Sequence, residues 1–90
     1  MKYLIDDNFK LICQSILDEN KSLEEWSEIE SDDMFQQGNI IGGFDATEEE
    51  FCFSAYINEE EYWFQVPLAD IPLILSGEIV QIEARKAFSD

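Results

Sequence analysis

The sequence predicts an α+β fold: an antiparallel β-sheet of about four strands, N-terminal helices packed on one face, and a short helix before the last strand. Three patterns carry that expectation. Apolar residues recur at helical spacing near the N-terminus, they alternate with polar residues across a central hairpin, and a proline-containing apolar run stops at Ser76-Gly77. A single domain, 1–90, accommodates the chain, with no internal repeat, linker or low-complexity tail. Hydrophobic content of 46% with 13% aromatics supplies a core, so the chain folds despite its charge.

Asp7 is placed to cap a first helix from about Asn8 to Glu19, in which Phe9, Ile12, Cys13, Ile16 and Leu17 form an amphipathic stripe. Cys13 belongs to that stripe and reads as a small buried hydrophobe. Ser22-x-x-Glu25 is a capping box for a second helix, with Leu23, Trp26 and Ile29 on one side and Glu24, Glu25, Glu28 and Glu30 on the other. From Met34 the helical period fades. Gly38-Asn39 and Gly42-Gly43 then punctuate the chain as turns or a bulge, with short strands before and between them.

The stretch Asp45 to Phe64, DATEEEFCFSAYINEEEYWF, reads as a hairpin with a glutamate triplet on each side of its first strand. Pairing Ile57 with Tyr62 across Asn58–Glu61 collects Phe51, Phe53, Ala55, Ile57, Tyr62, Phe64 and Val66 on one face. A one-residue slip mixes the faces, so it is excluded. The other face carries Cys52, Ser54, Tyr56, Glu61, Trp63 and Gln65, with Tyr56 opposite Trp63. That aromatic pair is either covered by a helix or loop or exposed as an anchor within an acidic rim. After Pro67, Asp70 caps a short helix through Ile71–Leu75. A last strand, Glu78 to Arg85, sets Val80, Ile82 and Ala84 on one face.

Enzyme chemistry is argued against by what is missing. The chain has no histidine, and therefore no usual acid–base residue and no base for Cys13 or Cys52. It has no phosphate loop and no nucleophile elbow. A glycosidase needs a pair of carboxylates in a sugar cleft, which so short a chain rarely builds. The nearest calcium-loop register, DENKSLEEWSEI from Asp18, has Leu23 where the sharp turn needs glycine and Ile29 where a bidentate glutamate belongs. No cofactor and no metal is therefore expected, a weak divalent site among Asp32, Asp33 and the triplets being the alternative.

Charge is the strongest functional signal. Twenty-one acids against five bases give a net charge of −16. Between Asp18 and Asp70 stand sixteen acids and one base, Lys21, while Lys2, Lys10, Arg85 and Lys86 lie near the ends. A net charge of about 2–8 suffices for a small domain to stay dissolved, so the excess points to a positively charged partner. Such a field repels nucleic acid and anionic membrane. No apolar run approaches the ~18 residues of a membrane span. The N-terminus MKYLIDD turns acidic before an apolar signal region forms, and Cys13 and Cys52 share no metal or redox spacing. The expectation is a cytoplasmic protein with free thiols, a disulfide being the lesser alternative, and a monomer or weak homodimer.

The partner-binding candidates are Asp32, Asp33, Glu48, Glu49, Glu50, Tyr56, Glu59, Glu60, Glu61 and Trp63, which neighbouring loops are expected to gather into one surface. The acidic N-terminal half followed by GGFDATEEEFCFSAY and EEYWFQVPLADI resembles the small immunity proteins of bacterial contact-dependent growth inhibition and related polymorphic toxin systems. The likeness is one of size, charge and style over most of the chain. It implies a role without implying a fold, and it assigns no residues. By that resemblance the chain binds and neutralises a basic toxin domain in the cytoplasm, a nuclease (an RNase before a DNase), by covering its nucleic-acid-binding or active site. The alternatives are a DNA-mimic inhibitor of a DNA-binding protein and a non-enzymatic adaptor subunit.

Overall fold

The computed structural model describes residues 1–28 and 35–87. Its centre is the hairpin of β4 (Glu50–Ile57) and β5 (Glu60–Val66). Asn58 and Glu59 both take left-handed conformations, with φ 53° and 68°. Two consecutive positive φ values make a two-residue turn whose twist matches that of the strands. The register is therefore Ile57 to Glu60, Ala55 to Tyr62, Phe53 to Phe64 and Phe51 to Val66. The four-residue loop expected from the sequence is two residues too long, because the ladder gains pairs by starting β5 at Glu60. A shift of two preserves every face, so the core assignment stands. The Tyr56–Trp63 pairing does not: Tyr56 lies opposite Glu61, and Trp63 opposite Ser54.

β3 (Ile40–Asp45) pairs antiparallel with β4 in unbroken register and, through the Gly38-Asn39 turn, with β2 (Phe35–Gln37). Gly42 and Gly43 thus lie inside β3, opposite Phe53 and Cys52, and form neither a turn nor a bulge. At Gly42 the reason is space. A Cβ there would collide with the Cys52 carbonyl oxygen and come within 2.7 Å of the Phe53 Cα. The last strand also departs from expectation. Residues 81–83 (β6, Gln81–Glu83) pair with an N-terminal strand that the sequence did not advertise, β1 (Lys2–Leu4). The chain then crosses at the buried Ala84, and β7 (Arg85–Lys86) joins β5. Val80, outside both strands, is 62% exposed. The result is a five-stranded antiparallel sheet, β2-β3-β4-β5-β7, beside the two-stranded β1-β6.

The helices cover one face of the larger sheet. α1 runs Asp7–Asp18 and buries Phe9, Ile12, Cys13 and Ile16, as its stripe predicts. Its cap is Asp6 and not Asp7. The extended Asp6 accepts the Phe9 amide at 2.9 Å and the Tyr3 hydroxyl at 3.2 Å, so one carboxylate both caps the helix and ties it to β1. α2 (Leu23–Glu28) opens with the expected capping box: the Glu25 amide donates to Ser22 Oγ at 3.2 Å, and the Ser22 amide donates to Glu25 Oε1 at 3.3 Å. Trp26 is buried as expected, Leu23 is exposed, and Ile29 lies outside the described residues. α3 (Ile71–Ser76) ends at Gly77, whose φ of 86° only glycine adopts readily and whose amide closes onto Ile74. At its start Asp70 makes no side-chain cap bond and instead ends a 3₁₀ turn, Leu68–Asp70.

The core is aromatic. Phe9 meets Phe53 and Phe64 edge-on at 5.0 and 5.3 Å, Tyr3 stacks on Phe64 at 4.7 Å, and Trp26 packs on Phe51 at 5.1 Å. Each such pair adds about 0.5–1.5 kcal/mol beyond the area it buries. Both cysteines are free. Burial pushes the Cys13 thiol up to about 12 and raises that of Cys52 as well, so neither is an activated nucleophile.

Candidate functional site: the open face of the sheet

Alternation along β3, β4 and β5 sends every second side chain away from the helices. On that outer face lie Ile41 from β3, Cys52, Ser54 and Tyr56 from β4, and Glu61, Trp63 and Gln65 from β5. Tyr56 is 57% exposed, Trp63 45% and Ile41 39%. The aromatic residues are therefore uncovered.

The small side chains of Ser54 and Cys52 keep the middle of this face low. A trough of about 430 Å³ results, with Ile41, Ser54, Trp63 and Gln65 among its lining residues, Asp45 from the end of β3, Glu48 from the β3–β4 turn, and Arg85 from β7. Asp45 Oδ1 accepts the Thr47 amide at 2.9 Å and the Glu48 amide at 3.4 Å, which folds the turn back onto the strand. Asp45 Oδ2 has only a 3.8 Å contact with Cys52 Sγ. Among the described residues, the side chains of Glu48 and Glu50 have no hydrogen bond or ion pair, and Arg85 has no carboxylate partner.

The β4–β5 turn is different. Glu61 Oε2 accepts the Trp63 indole N–H at 3.0 Å. Glu60 accepts the Tyr62 hydroxyl at 3.0 Å and pairs with Lys86 Nζ at 3.2 Å. The Tyr62 hydroxyl, followed by Lys86, holds the Glu60 carboxyl below its ordinary range, and Glu60 in turn raises the Tyr62 phenol. This triplet is partly satisfied from within.

The structure does not gather the expected candidates into one patch. Glu48, Glu49 and Glu50 sit at one end of the eight-residue β4, and Glu59, Glu60 and Glu61 at the other. At about 3.3 Å per residue the ends are roughly 23 Å apart, well beyond the ~8–10 Å Debye length. Tyr56 and Trp63 lie between them. Asp32 and Asp33 fall outside the described residues. Sequence reasoning placed Ser54 and Gln65 on this face and missed Ile41, Asp45 and Arg85. The signal was the alternation Ile41-Gly43-Asp45, hidden by treating Gly42-Gly43 as a break.

No group of three or more potential metal ligands occurs among the described residues, and no described helix is long and apolar enough to cross a membrane. These features define a one-sided α+β sheet protein with an exposed aromatic face and an acidic turn at each end of its central strand. No protein-family model, curated protein or solved structure matches the chain.

Proposed function

We propose that the chain is an immunity protein that docks on a basic toxin domain, an RNase before a DNase, and covers its nucleic-acid-binding or active site in the cytoplasm. The observation that carries this reading is the exposed Tyr56–Trp63 face lying between two acidic turns in a chain of net charge −16. Aromatic residues supply contact area with few degrees of freedom, and charge of one sign steers a basic partner and speeds its arrival. A row of carboxylates spaced like phosphates would suit a DNA mimic. Here the triplets cluster at the ends of β4 with rings between them, which suits an inhibitor.

The test is capture of the tagged chain from its native cells at low and high salt, followed by assay of what elutes. The expected result is a stoichiometric basic nuclease that is silenced on rebinding and associates more slowly as salt rises. A partner indifferent to salt, or a nuclease left active in the complex, refutes the reading.

A further inference from the structure

We propose that the trough on the outer face receives a single arginine side chain of the basic partner, with its stem over Ser54 between Ile41 and Trp63 and its guanidinium against Asp45 and Glu48. The proposal rests on the partner reading above and names the contact that would anchor it. Three observations select this occupant.

The trough is amphipathic along its length. Ile41 and Trp63 offer apolar walls at the level of Ser54, and Asp45 and Glu48 stand at one end. Its volume of about 430 Å³ lies near the low end of the ~300–1,000 Å³ range of ligand pockets. A long aliphatic stem with a charged tip fits that profile.

The acids at this end are not offset by a cation among the described residues. Asp45 Oδ2 and the Glu48 carboxylate have no cationic partner among the described residues, whereas Glu60 is held by Lys86 and Tyr62 and Glu61 by Trp63. Two separate carboxylates suit the flat guanidinium fork better than the single point charge of lysine.

Arg85 lines the same trough and comes from β7, opposite Trp63. It repels an entering cation and so gives the trough a direction, driving the guanidinium toward Asp45 and Glu48. A second copy of this chain is a poor occupant, since both molecules carry −16.

The experiment titrates the intact ¹⁵N-labelled chain with the blocked peptide acetyl-Gly-Arg-Gly-amide at low salt, followed by amide and indole N–H shifts. Saturable shifts of the Trp63 indole and of the Ser54 and Gln65 amides are expected, with Glu59 and Glu60 unmoved. The lysine peptide binds more weakly. Ser54→Trp fills the trough and weakens binding at least tenfold, and the exposed Glu48→Gln, which leaves the core untouched, weakens it several-fold. Shifts spread evenly over all acidic segments, shifts centred on Glu59–Glu61, no saturable shift, or indifference to both substitutions each overturn the proposal. The two readings separate cleanly. A nuclease silenced by the chain while the peptide leaves Trp63 unmoved retains the immunity role and removes the trough. Peptide binding in a chain that silences no basic partner does the reverse.

Discussion

Two turns flank β4, and each carries three consecutive glutamates, yet they differ in what those glutamates do. At the β4–β5 turn, Glu60 and Glu61 are engaged by Lys86, Tyr62 and Trp63. At the β3–β4 turn, Glu48 and Glu50 are not engaged among the described residues, and Asp45 uses only one oxygen to shape the loop. The cores beneath them differ as well. Phe44, Phe51 and Trp26 pack under the first turn, while the half-buried Ile57 and Tyr62 lie under the second. The firm end of the hairpin thus carries the triplet that no cation among the described residues offsets. Local composition does not reveal which carboxylates are free, because that depends on which bases the fold brings near.

The largest effect should come from the cores. Phe51→Ala removes a fully buried ring and is expected to cost about 3–5 kcal/mol, a large share of the roughly 5–13 kcal/mol such a domain has. Ile57→Ala at the other end should cost about 1–2 kcal/mol. Urea unfolding of both variants measures the difference, and equal costs would dissolve the contrast.

Charge reversal should come next. Glu48→Lys with Glu50→Lys is expected to slow association with a basic partner about tenfold, equivalent to ~1.4 kcal/mol, and to flatten its salt dependence. Glu59→Lys with Glu60→Lys should do less, since Lys86 already offsets part of that charge. Stopped-flow rates at two ionic strengths decide the order, and a reversed order would place the docking surface at the other turn.

A smaller effect is shared by both turns. Glu49 and Glu59 hold positive φ, 58° and 68°, where a side chain costs about 1 kcal/mol relative to glycine. Glu49→Gly and Glu59→Gly should therefore each raise the melting temperature by a few degrees. Loss of stability in either variant would mean that the glutamate contributes more than its backbone costs.

The smallest effect concerns pH. Glu60 and Glu83 both titrate below their ordinary value of 4.5. The Tyr62 hydroxyl and then Lys86 act on Glu60, and Lys2 and then the N-terminal ammonium act on Glu83. A lowered folded-state value means stability that is present above 4.5 and is lost as pH falls through the folded value. Against it, protonation of the many other carboxylates relieves self-repulsion on the same descent. Lys86→Met should leave stability near neutral pH almost unchanged, because the pair is exposed. It should also remove part of the loss below 4.5. Acid titrations of the two proteins followed by circular dichroism test this, and superimposable curves would show that Lys86 does not act on Glu60.

Much of the fold was legible in the residues themselves. The stripe of α1, the capping box at Ser22, the stop at Gly77 and the two faces of β4 and β5 all follow from local periods and caps, which depend on near neighbours in the chain. The charge of −16 and the lack of histidine are compositional and need no structure. The hairpin register was not legible, because shifting by two residues leaves each face unchanged, and only the left-handed Asn58 and Glu59 chose between the candidates. Nor was the continuity of β3 through Gly42-Gly43, which depends on how closely β4 approaches. The exposure of Tyr56 and Trp63, the split of the last segment between two sheets, and the lack of a cation beside Asp45 and Glu48 among the described residues were decided by tertiary structure alone. Each depends on which distant segment lies alongside, and periodicity within a segment carries no record of that.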